Sequence, residues 1–144
     1  MPIKNYTSRV PADRSIQEIQ KSLVKHGATG VLYEYEKDTG RIAALKFKLD
    51  VKGSVVGFSL PVNWRRFQEC IKRDGISKWR DDDYVYRVAW RNIRDWVLAQ
   101  MALYETQIVE LPQVFLPFAV AKDGKTIYEK VSDGNLLLDA GKPS

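Results

Sequence analysis

The sequence predicts one α+β domain: an N-terminal helix, a three-stranded antiparallel meander, a short helix, a long central helix packed on the sheet, and a C-terminal hairpin. Three observations predict it. Residues 42–51 alternate apolar and polar side chains, short turn-forming segments join that run to neighbours at 31–36 and 55–60, and the stretch from about Tyr84 to Glu105 carries apolar residues at helical spacing. A chain of 144 residues fits one domain and can bury a core of its own.

The elements follow in order. An arm or edge strand reaches Pro11. Ser15 and Glu18 have the spacing of a capping box, and Ile16, Ile19, Leu23 and Val24 follow as one stripe of a helix. Gly27 can close that helix in a left-handed conformation, and His26 in its last turn complements the helix dipole when protonated. Val31 to Glu36 is rich in tyrosine and aliphatic residues, and Lys37-Asp38-Thr39-Gly40 turns the chain. Next, Leu45, Phe47, Leu49 and Val51 share one face, with Lys46, Lys48 and Asp50 on the other. After Lys52-Gly53-Ser54 a third strand places Val56, Phe58 and Leu60 on one side and ends at Pro61. Connections this short give an antiparallel meander with one packed face and one partly wet face.

A short helix from Trp64 to about Arg73, capped by Asn63, ends at Gly75. The run Asp81-Asp82-Asp83 then suits the start of the long helix, where carboxylates satisfy free amides and the positive dipole end. Ala89, Ile93, Trp96, Val97, Gln100 and Tyr104 describe one face of that helix, widened by Val88, Leu98, Met101 and Leu103. In Leu111 to Phe118, Pro112 and Pro117 predict an extended crossing. Lys122-Asp123-Gly124-Lys125 between apolar flanks predicts a terminal hairpin, with fraying after Gly134.

Composition narrows the function. The single cysteine, Cys70, permits no internal disulfide and no Cys-based zinc site within one chain, and reads as a small buried hydrophobe. The single histidine, His26, excludes a multi-histidine metal site within one chain. No nucleophile, base and orienting group assemble, and the glycines form neither a P-loop nor a dinucleotide fingerprint. The chain reads as non-enzymatic, with no cofactor. Asp81, Asp82 and Asp83 are a helix cap rather than a Mg²⁺ site, since consecutive helical side chains diverge by about 100°. No apolar run approaches the roughly 20 residues that span a bilayer, and the first residues lack a signal peptide, so the expected location is the cytoplasm.

A net charge of +5 suits a polyanionic partner. The second helix and the start of the long one hold Trp64, Arg65, Arg66, Lys72, Arg73, Lys78, Trp79, Arg80, Arg87, Trp90, Arg91 and Arg94. Residues 87, 91 and 94 share a helical face. Guanidinium groups grip phosphates through paired donors, and exposed indoles stack on unpaired bases. The phosphate contacts are expected at Arg65, Arg66, Arg87, Arg91 and Arg94, and the stacking platforms at Trp64 and Trp79, with Lys46 and Lys48 extending the surface. The opposing reading makes the tryptophans core and pairs the arginines with Asp81 to Asp83 and Asp95.

Over nearly its full length the chain resembles a group of small proteins of unassigned activity encoded by bacteriophages and prophages. The resemblance rests on Met1-Pro2-Ile3-Lys4-Asn5-Tyr6, on His26-Gly27-Ala28, and on residues 88–97 (Val-Ala-Trp-Arg-Asn-Ile-Arg-Asp-Trp-Val) through residues 110–117 (Glu-Leu-Pro-Gln-Val-Phe-Leu-Pro). It implies a phage setting and carries over no functional residue. The meander followed by a helix is also similar in architecture to single-strand annealing recombinases, without a shared motif. The expectation is a phage accessory protein that binds nucleic acid, single-stranded DNA above all, in replication or recombination. The rival is an inhibitor of a host defence or host enzyme that acts by protein contact, in the manner of an anti-CRISPR protein. The sequence sets neither the identity of the partner nor the oligomeric state.

Overall fold

The alternation in residues 42–51 is realised as the middle strand of a three-stranded antiparallel sheet, around which the computed structural model describes residues 1–134. β1 spans Gly30–Tyr35, β2 spans Ile42–Val51 and β3 spans Ser54–Pro61, paired in that order. Register sets Val31 and Phe58 beside Phe47, and Tyr33 and Leu60 beside Leu45, on the packed face. The opposite face carries the row Gly30, Lys48, Gly57 and, next to it, the row Leu32, Lys46, Ser59.

The first helix, α1, spans Ala12–Lys25 and starts before the expected Ser15 cap. Pro11 stands at the N-cap with φ −58° and ψ 144°, and a proline at a helix start forfeits no hydrogen bond. Ser15 is instead fully buried, alongside Ile16, Ile19 and Leu23. Val24, assigned to the same stripe by its spacing, faces solvent. The expected glycine termination is present: Gly27 takes φ 110°, and the Ala28 N–H donates to the Leu23 carbonyl at 2.9 Å.

After the sheet come α2 (Trp64–Arg73), a one-turn 3-10 helix (Ser77–Arg80) and α3 (Asp82–Glu105). Asn63 precedes α2 but its side chain makes no capping bond. Asp81 does cap α3, its carboxylate accepting the N–H groups of Asp83 and Tyr84 at 3.1 and 3.3 Å. The long helix packs wider than its predicted stripe. It buries Tyr84, Val85, Val88, Ala89, Trp90, Val97 and Met101, whereas Trp96 and Tyr104 lie at the surface.

Two apolar clusters result. The larger joins the packed sheet face to α1, the C-terminal half of α3, Leu111 and Phe115, and includes Trp90. Its aromatic centre is Phe47 stacked on Phe58 at 5.2 Å, with Phe115 edge-on to Phe47 at 5.2 Å. The smaller cluster lies between α2 and the first turns of α3, from Trp64, Ile71, Tyr84, Val85, Val88 and Ala89. Tyr86 bridges them, edge-on to Trp64 at 5.9 Å and to Trp90 at 6.2 Å, while its hydroxyl accepts the Ile42 N–H at 3.0 Å.

Two expectations for the C-terminal third are corrected. Residues 111–118 are helical rather than extended: α4 spans Leu111–Phe115, and a 3-10 turn spans Leu116–Phe118. Both prolines fall in first turns, where a missing N–H costs nothing, and Glu110 with Gln113 forms a capping box. The turn at residues 122–125 closes with a single bridge between Val120 and Thr126. In place of a second hairpin strand, α5 then spans Ile127–Gly134. Thr126 and Glu129 cap it reciprocally, the Glu129 N–H donating to Thr126 Oγ1 at 3.2 Å and the Thr126 N–H to Glu129 Oε1 at 3.1 Å. The fraying expected after Gly134 lies outside the described residues. Among the described residues, no helix is long and apolar enough to cross a membrane.

Candidate nucleic-acid interface

The arrangement of α2 follows from its sequence. Trp64, Phe67, Gln68 and Ile71 recur at helical spacing and turn toward α3 and the 3-10 turn. Gln68 ties the two together, its Nε2 donating to the Trp79 carbonyl and to Asp82 Oδ1, both at 2.9 Å. Arg65, Arg66, Lys72 and Arg73 are thereby left as an exposed stripe, interrupted only by Glu69. Lys78 and Arg80 continue it, also exposed.

Between Trp64 and Arg80 there are six cations and two carboxylates, a local net charge of +4 out of +5 for the whole chain. The two carboxylates neutralise little. Asp74 accepts the Ile3 N–H at 2.8 Å, and Glu69 reaches only Arg66, at 3.9 Å. Arg73 donates to Cys70 Sγ at 3.1 Å, so the cysteine sits half-buried at the edge of this stripe. Lys72 Nζ lies 4.6 Å and Arg80 Cζ 5.1 Å from the centre of the half-exposed Trp79 ring. Cations over an indole face are attracted by its quadrupole, which holds both side chains in place.

The structure divides the residues that the sequence singled out. Trp64 is 1% exposed and cannot serve as a stacking platform, because α2 turns it into the smaller cluster beneath Arg41 and Arg65. Trp90 is fully buried. Trp79 keeps an exposed part, and Arg65 and Arg66 stay at the surface.

Arg91 and Arg94 are not free phosphate contacts. Arg91 donates to Glu18 at 3.1 Å and to the Ser15 hydroxyl at 3.3 Å, while Arg94 Nε donates to the same Glu18 oxygen at 2.6 Å and its Nη1 to Asp95 at 3.0 Å. Both close the α1–α3 interface. Burial pushes the Glu18 carboxyl upward, but the Arg94 hydrogen bond and the charges of Arg94, Arg91 and Arg14 outweigh it and hold the group below its ordinary value. Arg87 is half-buried against the Tyr84 ring, 5.8 Å from its centre. The helical face shared by 87, 91 and 94 is therefore an internal seam.

The aspartate run disperses in the same way. Asp81 caps α3, Asp82 accepts from Gln68, and Asp83 accepts from Arg41 at 2.8 Å. Three neighbouring carboxylates serve three different partners, and among the described residues no three His, Cys, Asp or Glu side chains converge on one point. His26 sits at the α1 C-cap, with Nδ1 2.7 Å from the Ser22 carbonyl and Nε2 2.8 Å from Glu105. It ties α1 to the end of α3. On the sheet, Lys46 pairs with Glu34, whereas Lys48 has no carboxylate partner among the described residues.

The α2 stripe is readable from its spacing, since 65, 66, 72 and 73 fall at i, i+1, i+7 and i+8 on a helix of known start. Glu18 gives no comparable signal for its contacts with α3, because Arg91 and Arg94 are more than 70 residues away. No protein-family model matches the chain, and no match is found among curated proteins or solved structures.

Proposed function

We propose that the protein is a non-enzymatic nucleic-acid-binding protein, which grips the phosphates of a single strand along α2 and the following turn. One observation carries this reading: nearly all the net charge of the chain lies on one exposed stripe of six cations that internal carboxylates leave almost unpaired. Unpaired cations on a surface are available to phosphate oxygens, and their displacement of condensed counterions drives association. Trp79 supplies the one partly exposed indole within that stripe and the basis for preferring unpaired bases. An accessory role in phage replication or recombination is the setting that this activity and the family resemblance support.

The test is fluorescence anisotropy of a labelled oligonucleotide of about 20 nucleotides, titrated between about 50 and 200 mM salt. Binding should weaken steeply with salt. The quadruple variant Arg66→Gln, Arg73→Gln, Lys78→Gln, Arg80→Gln should flatten the log–log slope by about 3, at roughly 0.7 for each phosphate left without its cation. Trp79→Ala should cost about 1–3 kcal/mol on the single strand and much less on a duplex. Absence of binding at about 50 mM salt overturns the proposal and leaves the same stripe to a protein partner.

A further inference from the structure

A second site lies on the sheet face turned away from the helices. Gly30, Lys48 and Gly57 form one row across all three strands. Glycine inside a strand weakens it, and usually marks a bulge, a positive φ or the close approach of another backbone. Here neither a bulge nor a positive φ applies, and the one backbone that comes near, the Ala119–Val120 segment at the β3 edge, does not reach the Cβ position of Gly57. Neither glycine has positive φ, and the irregularity in the β1–β2 register lies elsewhere, between Glu34 and Tyr35. A Cβ built at Gly57 meets nothing within 4 Å, and one at Gly30 meets only Lys48 Cδ at 3.8 Å.

The missing side chains leave a trough of about 450 Å³ above the strands. Its floor is the backbone between the two open-face rows, and its sides are Leu32, Lys46, Lys48 and Val120. Leu32, 59% exposed, offers an apolar side wall on this face. Val120 is held at the β3 side by its N–H, which donates to the Gly57 carbonyl at 2.8 Å. Lys46 is neutralised by Glu34, and Asp50 on the same face accepts the Gly53 N–H at 2.8 Å. Among the described residues Lys48 has no carboxylate in salt-bridge contact, and its ammonium stands at the side of an otherwise apolar trough.

From this we infer that the trough binds a small, flat, apolar carboxylate, its ring system lying over Gly57 between Leu32 and Val120 and its carboxylate on the Lys48 ammonium. The volume falls within the range of small-molecule sites, and an apolar cleft with one placed charge is their usual composition. This site is independent of the α2 stripe, on a different element and a different face.

The probe is 2-naphthoate, with 2-naphthalenemethanol as its uncharged counterpart, followed by amide chemical-shift titration of the full chain. Saturable one-to-one binding of naphthoate is expected, with the largest shifts at Gly30, Lys48, Gly57 and Val120. The alcohol should bind about three- to five-fold more weakly, the difference expected of one partly exposed ion pair. Lys48→Met should erase that difference and keep the apolar contact. Gly57→Leu should fill the trough and abolish binding of both, and the Lys48→Met comparison decides the matter if Gly57→Leu does not fold. The proposal is overturned if naphthoate does not saturate, if its shifts fall outside the trough, or if Lys48→Met leaves its preference over the alcohol intact. It is equally overturned if the protein sediments as a dimer that Gly57→Leu dissociates, since a second copy would then cover this face.

Discussion

Glu18 accepts from Arg91 and Arg94 and lies 3.4 Å from Arg14, so its removal leaves two partly buried guanidinium groups without their shared acceptor. Glu18→Gln should lower the stability by about 1–3 kcal/mol, read as a lower urea midpoint at unchanged slope. Glu69→Gln, a change to an exposed pair 3.9 Å apart, should fall within about 0.5 kcal/mol. Asp95 provides the acid-side test. Burial pushes its carboxyl upward, but hydrogen bonds from Lys4, Asn5 and Arg94 outweigh that and bring it to about 2. A carboxyl depressed in the folded state stabilises above its unfolded value near 3.8 and loses that contribution as pH falls toward 2. About 1–2 kcal/mol should therefore disappear between roughly pH 4 and 2, less so in Asp95→Asn, when unfolding midpoints are compared across that range.

Among the elements, the N-cap of α3 and the short α4 give the clearest predictions. Asp81→Ala removes the acceptor for two helix amides and should cost about 1 kcal/mol in thermal or urea unfolding. Phe115, fully buried against Phe47, Phe58 and Trp96, should cost about 3–5 kcal/mol as Phe115→Ala. The strands are legible in the sequence because alternation at period two suits a half-buried strand and no helix, and Leu45, Phe47 and Leu49 all lie on the packed face. The start of α3 is legible because three acidic residues precede a long apolar-periodic stretch. The start of α1 is obscured because Ser15 and Glu18 have capping spacing yet bond across to α3 instead. Residues 111–118 mislead because a proline in a first turn has the same sequence appearance as a proline that ends a helix. The helix at Ile127–Gly134 leaves a signal in Thr126 and Glu129, which the preceding turn and apolar flanks mask.

At the scale of the whole molecule, the candidate interface depends on which face of each helix is buried, and composition alone does not supply that. Trp64, Trp79, Trp90 and Trp96 are alike in sequence terms, and only packing separates the half-exposed Trp79 from Trp64, buried where α2 meets α3, and from Trp90, buried in the cluster beneath the sheet. The same packing separates the free cations of α2 from the paired arginines of α3. A double variant Arg91→Ala, Arg94→Ala should consequently lose stability, while its folded fraction keeps the salt slope of oligonucleotide binding. The quadruple α2 variant should show the reverse, and measuring urea midpoints and salt slopes on both distinguishes a structural role from a binding one.

The helix α3 lies in both apolar clusters, its first turns in the smaller and its later turns in the larger, and Tyr86 touches the indole of each. The two clusters are thereby joined through one continuous helix. To release α2, the chain must strip the opening turns of a helix whose remaining turns are locked beneath the sheet. Amide hydrogens of Val85 and Val97, on opposite sides of Tyr86, should then exchange through one shared opening event, with the same free energy and the same dependence on denaturant. If α2 carries the proposed nucleic-acid-binding surface, a strand pulled taut would load the sheet and the long helix together.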